Sequence, residues 1–251
     1  MSRAVLLIVF LVSQSGQVLA EFTGGIELKS THQNNYNLAY GGATEYSERI
    51  NTTQVSLTWI KGSSKDVAWL VGGDLVDSEY SRFAYLSGLS GTLFGGMFYR
   101  FNPTNSATLK LGLRERRFDD EAMRLLEDQV RTSSLQLSHR LSATVLLSEK
   151  VVYEESLPQV ESYKYYNKSG SVWLEWNPWR QTTVSTGFTA SERFFEYGEA
   201  EYYFNEAYLN FAYGFARNWY ARVGVSEVKA EDNYNNSTDN QTAHIAIGMG
   251  F

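Results

Sequence analysis

Side chains able to do chemistry are few in this chain, and their types narrow the chemistry. Three histidines and no cysteine occur among 251 residues, which excludes thiolate catalysis, thiolate metal sites and disulfides. His32 falls in a polar segment that could meet Asp119 and Asp120 only through the fold. His139 lies between Ser138 and Arg140, and His244 has no partner at a recognisable spacing. No spacing of His, Asp and Glu matches a metal-ligand set, and nothing calls for a cofactor. What recurs instead is a cation set against the apolar phase of its segment: Lys29, Arg100, Lys110, Arg114, Arg116, Arg140, Lys150, Arg193 and Arg222. Acidic residues in the same phase are fewer: Glu27, Asp74, Glu154, Glu175 and Glu206. A wall carrying nine cations against five carboxylates does electrostatic chemistry, attracting and ordering anions.

The elements that must position these residues are strands. In the last segment Ala243, Ile245, Ile247, Met249 and Phe251 alternate with Thr242, His244, Ala246, Gly248 and Gly250, a period of two with one apolar face. The same alternation marks Val55-Leu57-Trp59, Leu109-Leu111-Leu113, Val172-Leu174-Trp176, Leu209-Phe211-Tyr213 and Trp219-Ala221-Val223-Val225, taken at every second position. Twelve such segments are predicted, at 22–31, 50–61, 66–78, 83–101, 106–118, 129–140, 143–155, 165–177, 182–195, 201–215, 218–231 and 241–251. Most have the length of a tilted strand crossing a membrane.

Five tight turns, at 62–65, 102–105, 141–142, 178–181 and 216–217, alternate with six longer connections at 31–49, 79–82, 119–128, 156–164, 196–200 and 232–240. An even strand count with short turns on one side and long ones on the other is the pattern of a transmembrane barrel. Aromatics gather at both ends. Trp59, Tyr99, Phe101, Trp176, Trp179, Phe215, Trp219 and Phe251 lie beside the short turns, and Phe83, Tyr85, Phe118, Tyr153, Tyr163, Tyr165, Phe195 and Tyr203 beside the longer ones. Two interfacial belts suit a bilayer, whereas a soluble sandwich buries one sheet face and needs no belt at either end. Charge on the lipid side would cost roughly 2–4 kcal/mol at mid-bilayer, so strand charges should turn inward. There they either form an ion-pair core or line a narrow pore, because twelve strands fall between filled and open barrels.

Arg3, the apolar run 4–12 and Val18-Leu19-Ala20 read as a secretory leader cleaved after Ala20, leaving a single domain from 21 to 251. The apolar run is too short to anchor in a bilayer, which takes about 20 residues. Only three prolines interrupt the ladders, while 17 tyrosines supply the belts. The formal charge of −6 becomes −7 once Arg3 is removed, and neither value suggests nucleic acid. Residues 123–127 could make a helical turn in the third long connection, and three Asn-X-Ser/Thr triplets match the glycosylation acceptor pattern.

The leader, the twelve amphipathic strands and the terminal Phe251 together resemble a Gram-negative outer-membrane β-barrel, all-β and antiparallel in up-and-down order. In that class a terminal Phe is the assembly signal, which implies the barrel-assembly machinery as a partner through the last strand. Outer-membrane lipid and lipopolysaccharide would surround the wall. In size and basic lumen the chain is also similar to the monomeric oligogalacturonate and sialic-acid porins, whose pores carry two tracks of Arg and Lys. The resemblance implies a porin or channel in the cell outer membrane for small anionic solutes such as acidic oligosaccharides. Lys29, Arg100, Lys110, Arg114, Arg140, Lys150, Arg193 and Arg222 would be its lumen residues, and Trp59, Trp176, Trp179, Trp219 and Phe251 its membrane girdle. The alternatives are a non-conducting structural or envelope-interaction barrel, a polysaccharide-export component and, in another class, an outer-membrane hydrolase of the kind that carries a His-Asp pair at its rim.

Overall fold

In the computed structural model, which describes residues 21–34, 47–62, 66–197, 201–234 and 237–251, twelve strands of 13–15 residues close into one antiparallel barrel. They are β1 (Glu21–Gln33), β2 (Glu48–Gly62), β3 (Val67–Tyr80), β4 (Gly88–Asn102), β5 (Asn105–Phe118), β6 (Asp128–Arg140), β7 (Val145–Pro158), β8 (Tyr165–Trp179), β9 (Thr182–Phe195), β10 (Glu201–Gly214), β11 (Trp219–Asp232) and β12 (Ser237–Gly250). Each strand pairs with its sequence neighbours, and β1 pairs with β12 to close the ring. The proposed leader lies outside the described residues.

The three prolines stand at the ends of the ladders, near the turns. Pro103 sits in the β4–β5 turn, Pro158 ends β7, and Pro178 falls where the β8 register shifts between Trp176 and Trp179. The β4–β5 turn is fixed by Asn102, whose Oδ1 accepts from Thr104 N–H at 2.9 Å and Asn105 N–H at 2.9 Å. At the seam, Gly24 N–H donates to Phe251 O and Phe251 N–H donates to Gly24 O, each at 2.9 Å. A Cβ on Gly24 would stand 2.7 Å from the Phe251 ring, so glycine here seats the aromatic against the wall.

Several boundaries differ from expectation. β4 starts at Gly88 rather than at 83, because residues Ala84–Leu86 form a 3₁₀ turn. β7 starts at Val145 rather than at 143, and β8 runs on to Trp179, leaving Arg180 and Gln181 as the turn. β1 extends to Gln33 because Gln33 pairs with both Glu48 and Thr242, and β12 begins at Ser237, opposite Glu231. His32 therefore lies on a strand and not in a loop. The 3₁₀ turn at Glu121–Leu126 matches the helical turn expected near 123–127, with Asp120 Oδ1 accepting from Ala122 N–H at 2.8 Å.

Glu48 explains the bend before β4. Its carboxylate is 1% exposed and accepts from Ser81 N–H at 2.8 Å, Ser81 Oγ at 2.8 Å, Arg82 N–H at 3.0 Å and Phe83 N–H at 3.0 Å. Removing it would orphan several donors at once, and Glu48→Ala is expected to lower unfolding free energy by about 2 kcal/mol. Urea unfolding of the refolded barrel checks this, and an unchanged midpoint would show that the nest has no structural weight.

Candidate functional site

Register sorts the wall into two faces. Outward rows hold Leu93, Leu111, Leu135, Val151, Leu209, Val225 and Ile245, all exposed, while residues one position away point inward. Every expected lumen cation takes an inward position: Lys29 on β1, Arg100 on β4, Lys110 and Arg114 on β5, Arg140 on β6, Lys150 on β7, Arg193 on β9 and Arg222 on β11. Arg116 on β5 joins them. Arg100 and Arg140 stand at the short-turn end.

Two of these nine cations are ion-paired. Arg222 Nη2 lies 2.6 Å from Glu27 Oε1, and Tyr220 O–H donates to Glu27 Oε2 at 2.8 Å. Arg114 Nη1 lies 4.0 Å from Glu154 Oε1, whose other oxygen accepts from Asn167 at 3.1 Å. Among the described residues the other seven have no carboxylate oxygen within 4.0 Å. Lys110 Nζ sits 4.6 Å from the Phe94 ring centre, Arg116 4.3 Å from that of Phe118, and Arg193 4.5 Å from that of Tyr165. Contact with a ring face leaves the positive charge unneutralised. In a ring of twelve strands β5 stands opposite β11, and β1 opposite β7, so Lys110 and Arg222, like Lys29 and Lys150, belong to facing walls.

Sequence reasoning missed the aromatic lining. Phe94, Phe98, Trp173, Tyr202, Phe204, Tyr208 and Tyr220 all face inward. So do Phe118, Tyr165 and Phe195, which were expected in the outer belt. Each lies at a strand end, and the register aims it at Arg116, Arg193 and Tyr202 rather than at lipid. Glycines directly opposite in register receive three of these rings, those of Phe94, Tyr208 and Tyr220. A Cβ on Gly72 would fall 2.7 Å from Phe94, one on Gly187 2.7 Å from Tyr208, and one on Gly248 would collide with the Tyr220 ring. Such rings lie flat along the wall instead of crossing the bore. An aromatic placed opposite a glycine in the register is the signal that could have found these three.

At the short-turn end Trp176, Trp179, Trp219 and Phe251 are exposed, and Trp59 pairs beside Phe22 on the outer face. Trp69 and Phe22 are exposed there too. Charge is not confined to the inner face, however. Glu149 points outward between Leu137 and Val172, and Arg131, Glu155, Lys168 and Glu192 point outward nearer the long connections. At the long-connection rim Lys164 Nζ lies 2.7 Å from Glu196 Oε2; that contact holds the ammonium above its usual range and the carboxylate below its own.

The histidines do not assemble a reactive group. His32 projects outward beside Arg49 and Ala243, away from the Asp119–Asp120 segment between β5 and β6. His139 Nδ1 lies 2.8 Å from Asn105 Oδ1 at the β4–β5 turn. His244 faces inward, and its buried Nε2 has no hydrogen-bond partner. Among the described residues no group of three or more His, Asp or Glu is arranged to hold a metal.

A closed antiparallel barrel with an apolar outer wall, exposed aromatics at the short-turn end and a polar interior has the architecture of a transmembrane β-barrel. No family model matches the sequence, and no curated protein does. Similarity lies in the fold. An outer membrane channel from Pseudomonas putida F1 superposes with a TM-score of 0.67 at 11% identity, over 94% of this chain and 97% of that one. The NanC porin gives 0.61 at 5% identity over 89% and 98%. The KdgM porin in complex with disordered oligogalacturonate gives 0.52 at 11% identity over 90% and 99%.

Proposed function

We propose that the barrel is a channel for small anionic solutes, with acidic oligosaccharides as the favoured class. The single observation that carries this reading is the set of seven inward cations with no carboxylate within 4.0 Å among the described residues. An ion-pair core would have matched them. Free positive charge along a confined path raises the local concentration of anions. Inward aromatic faces add surfaces on which sugar rings can stack, and the fold shared with a porin in complex with disordered oligogalacturonate supports the solute class. Transport is favoured over hydrolysis because His32 projects outward from β1 while Asp120 lies in the β5–β6 connection, where it caps a turn. We also infer that residues 1–20 direct export and that β12 engages the assembly machinery.

Conductance of the refolded protein in planar bilayers tests the reading. Discrete steps with an anion-selective reversal potential in a salt gradient are expected. Absence of current from a barrel shown to be folded would leave a structural or envelope-interaction role in its place.

A further inference from the structure

The rim on the short-turn side carries a pattern that the channel reading leaves unused. Each of the four turns from β4–β5 round to β10–β11 has one arginine: Arg100 and Arg140 near the ends of β4 and β6, Arg180 in the β8–β9 turn and Arg217 in the β10–β11 turn. All four are exposed, and among the described residues none has a carboxylate oxygen within 4.0 Å. The acidic positions at this end, Glu21, Asp66 and the carboxylate of Phe251, fall on the β12–β3 side of the ring, off this arc. Glu175 on β8 faces inward, and its Oε1 accepts from Trp173 Nε1 at 3.0 Å. The opposite rim has the opposite sign, since the β5–β6 connection alone sets Asp119, Asp120, Glu121 and Glu127 against Arg124.

Backbone bonds lace the short-turn rim together. Each turn accepts from a strand beyond it: Asp66 O from Arg100 N–H at 2.8 Å, Thr104 O from Arg140 N–H at 2.7 Å, Thr144 O from Asn177 N–H at 2.8 Å, Gln181 O from Gly214 N–H at 2.8 Å and Asn218 O from Gly250 N–H at 2.9 Å. Every arginine of the arc either donates in one of these bonds or directly precedes the residue that accepts, so its backbone is held in place before a ligand arrives. Neighbouring arginines stand two strands, roughly 10 Å, apart, further than one carboxylate can bridge. Forked cations at that spacing match a linear chain of carboxylates, which each guanidinium can grip through two parallel hydrogen bonds. Arg100 and Arg140 face inward and lead from the arc into the bore, whose width suits a single extended chain rather than a folded protein.

We propose that these four arginines form a docking arc for an acidic oligosaccharide at the short-turn mouth, gripping carboxylates spaced along one chain. The proposal rests on the solute class argued above and not on conduction. Fluorescence anisotropy of labelled octagalacturonate with the refolded full barrel in detergent at low salt tests it. Replacing all four arginines by Gln should weaken binding by at least about thirty-fold, from roughly three-fold for each exposed pair lost. Monogalacturonate, which meets one arginine only, should bind at least about thirty-fold more weakly than the octamer. The pairs Arg100→Gln with Arg140→Gln and Arg180→Gln with Arg217→Gln serve if the fourfold variant fails to fold, each costing about ten-fold. Binding that survives loss of the arginines and disappears in Lys110→Glu with Lys150→Glu overturns the arc and leaves the channel reading standing. Arginine-dependent binding by a barrel that passes no current keeps the arc and removes the channel. Equal affinity for the monomer and the octamer overturns the proposal. So does tighter binding of a polyglutamate peptide of the same charge, which would assign the arc to an acidic protein segment.

Discussion

Deleting Phe251 is expected to cost the barrel about 3 kcal/mol, enough to lower the folded fraction many-fold in a marginal refolding condition. The residue closes the ring through two backbone hydrogen bonds to Gly24, and its ring lies against the space that Gly24 leaves. The bonds contribute about 1 kcal/mol each and the half-covered ring the remainder. Phe251→Ala keeps the backbone bonds and should cost only about 1 kcal/mol. Gly24→Val should cost more, because its Cβ would fall 2.7 Å from both the ring and Ser56 O, so trimming Phe251 relieves only half of the clash. Urea midpoints of the refolded barrel, together with its heat-modifiable fraction in outer membranes, measure all three. A deletion that leaves the midpoint unmoved would refute the role assigned to the seam.

Reversing Lys110 and Lys150 to Glu is expected to turn an anion-selective pore toward cations, moving the permeability ratio by about ten-fold. Both side chains face the lumen across β6, opposite Ser134 and Gln136, and neither has a carboxylate within 4.0 Å among the described residues. Their reversal breaks no ion pair, so folded yield should hold. Arg222→Glu makes the contrast, since it sets two carboxylates where Arg222 now lies 2.6 Å from Glu27, and it should reduce yield before it affects selectivity. The measurement is the reversal potential in a salt gradient near 1 M, where screening shortens to about 3 Å and mutes the loop charges. An unchanged ratio would remove these lysines from the conduction path, and collapse of folding would assign them to a structural core.

How far the sequence foretold the structure depends on which constraint acted on each residue. The period of two and the lipid's intolerance of charge act along a whole strand, so the twelve strands and the inward phase of Lys29, Lys110 and Arg193 could be read directly. Strand ends are set by cross-strand partners instead. That is why His32 was taken for a loop residue, and why Phe118, Tyr165 and Phe195 were assigned to a belt by their nearness to loops. Glu48 was invisible because its partners, Ser81 to Phe83, lie more than thirty residues away and are backbone groups. Glu149, exposed on the outer face among apolar neighbours, runs against the rule that strand charges turn inward, and nothing in its surroundings accounts for it.

The rings seated over Gly72, Gly187 and Gly248 carry a further consequence. A side chain pressed onto bare backbone has few rotamers to visit, so the bore at those levels is set by the stiff ladder of the sheet and not by thermally flickering groups. A channel with such walls should pass a quiet current, its open level steady on the timescale at which loosely held side chains would otherwise chop it into noise.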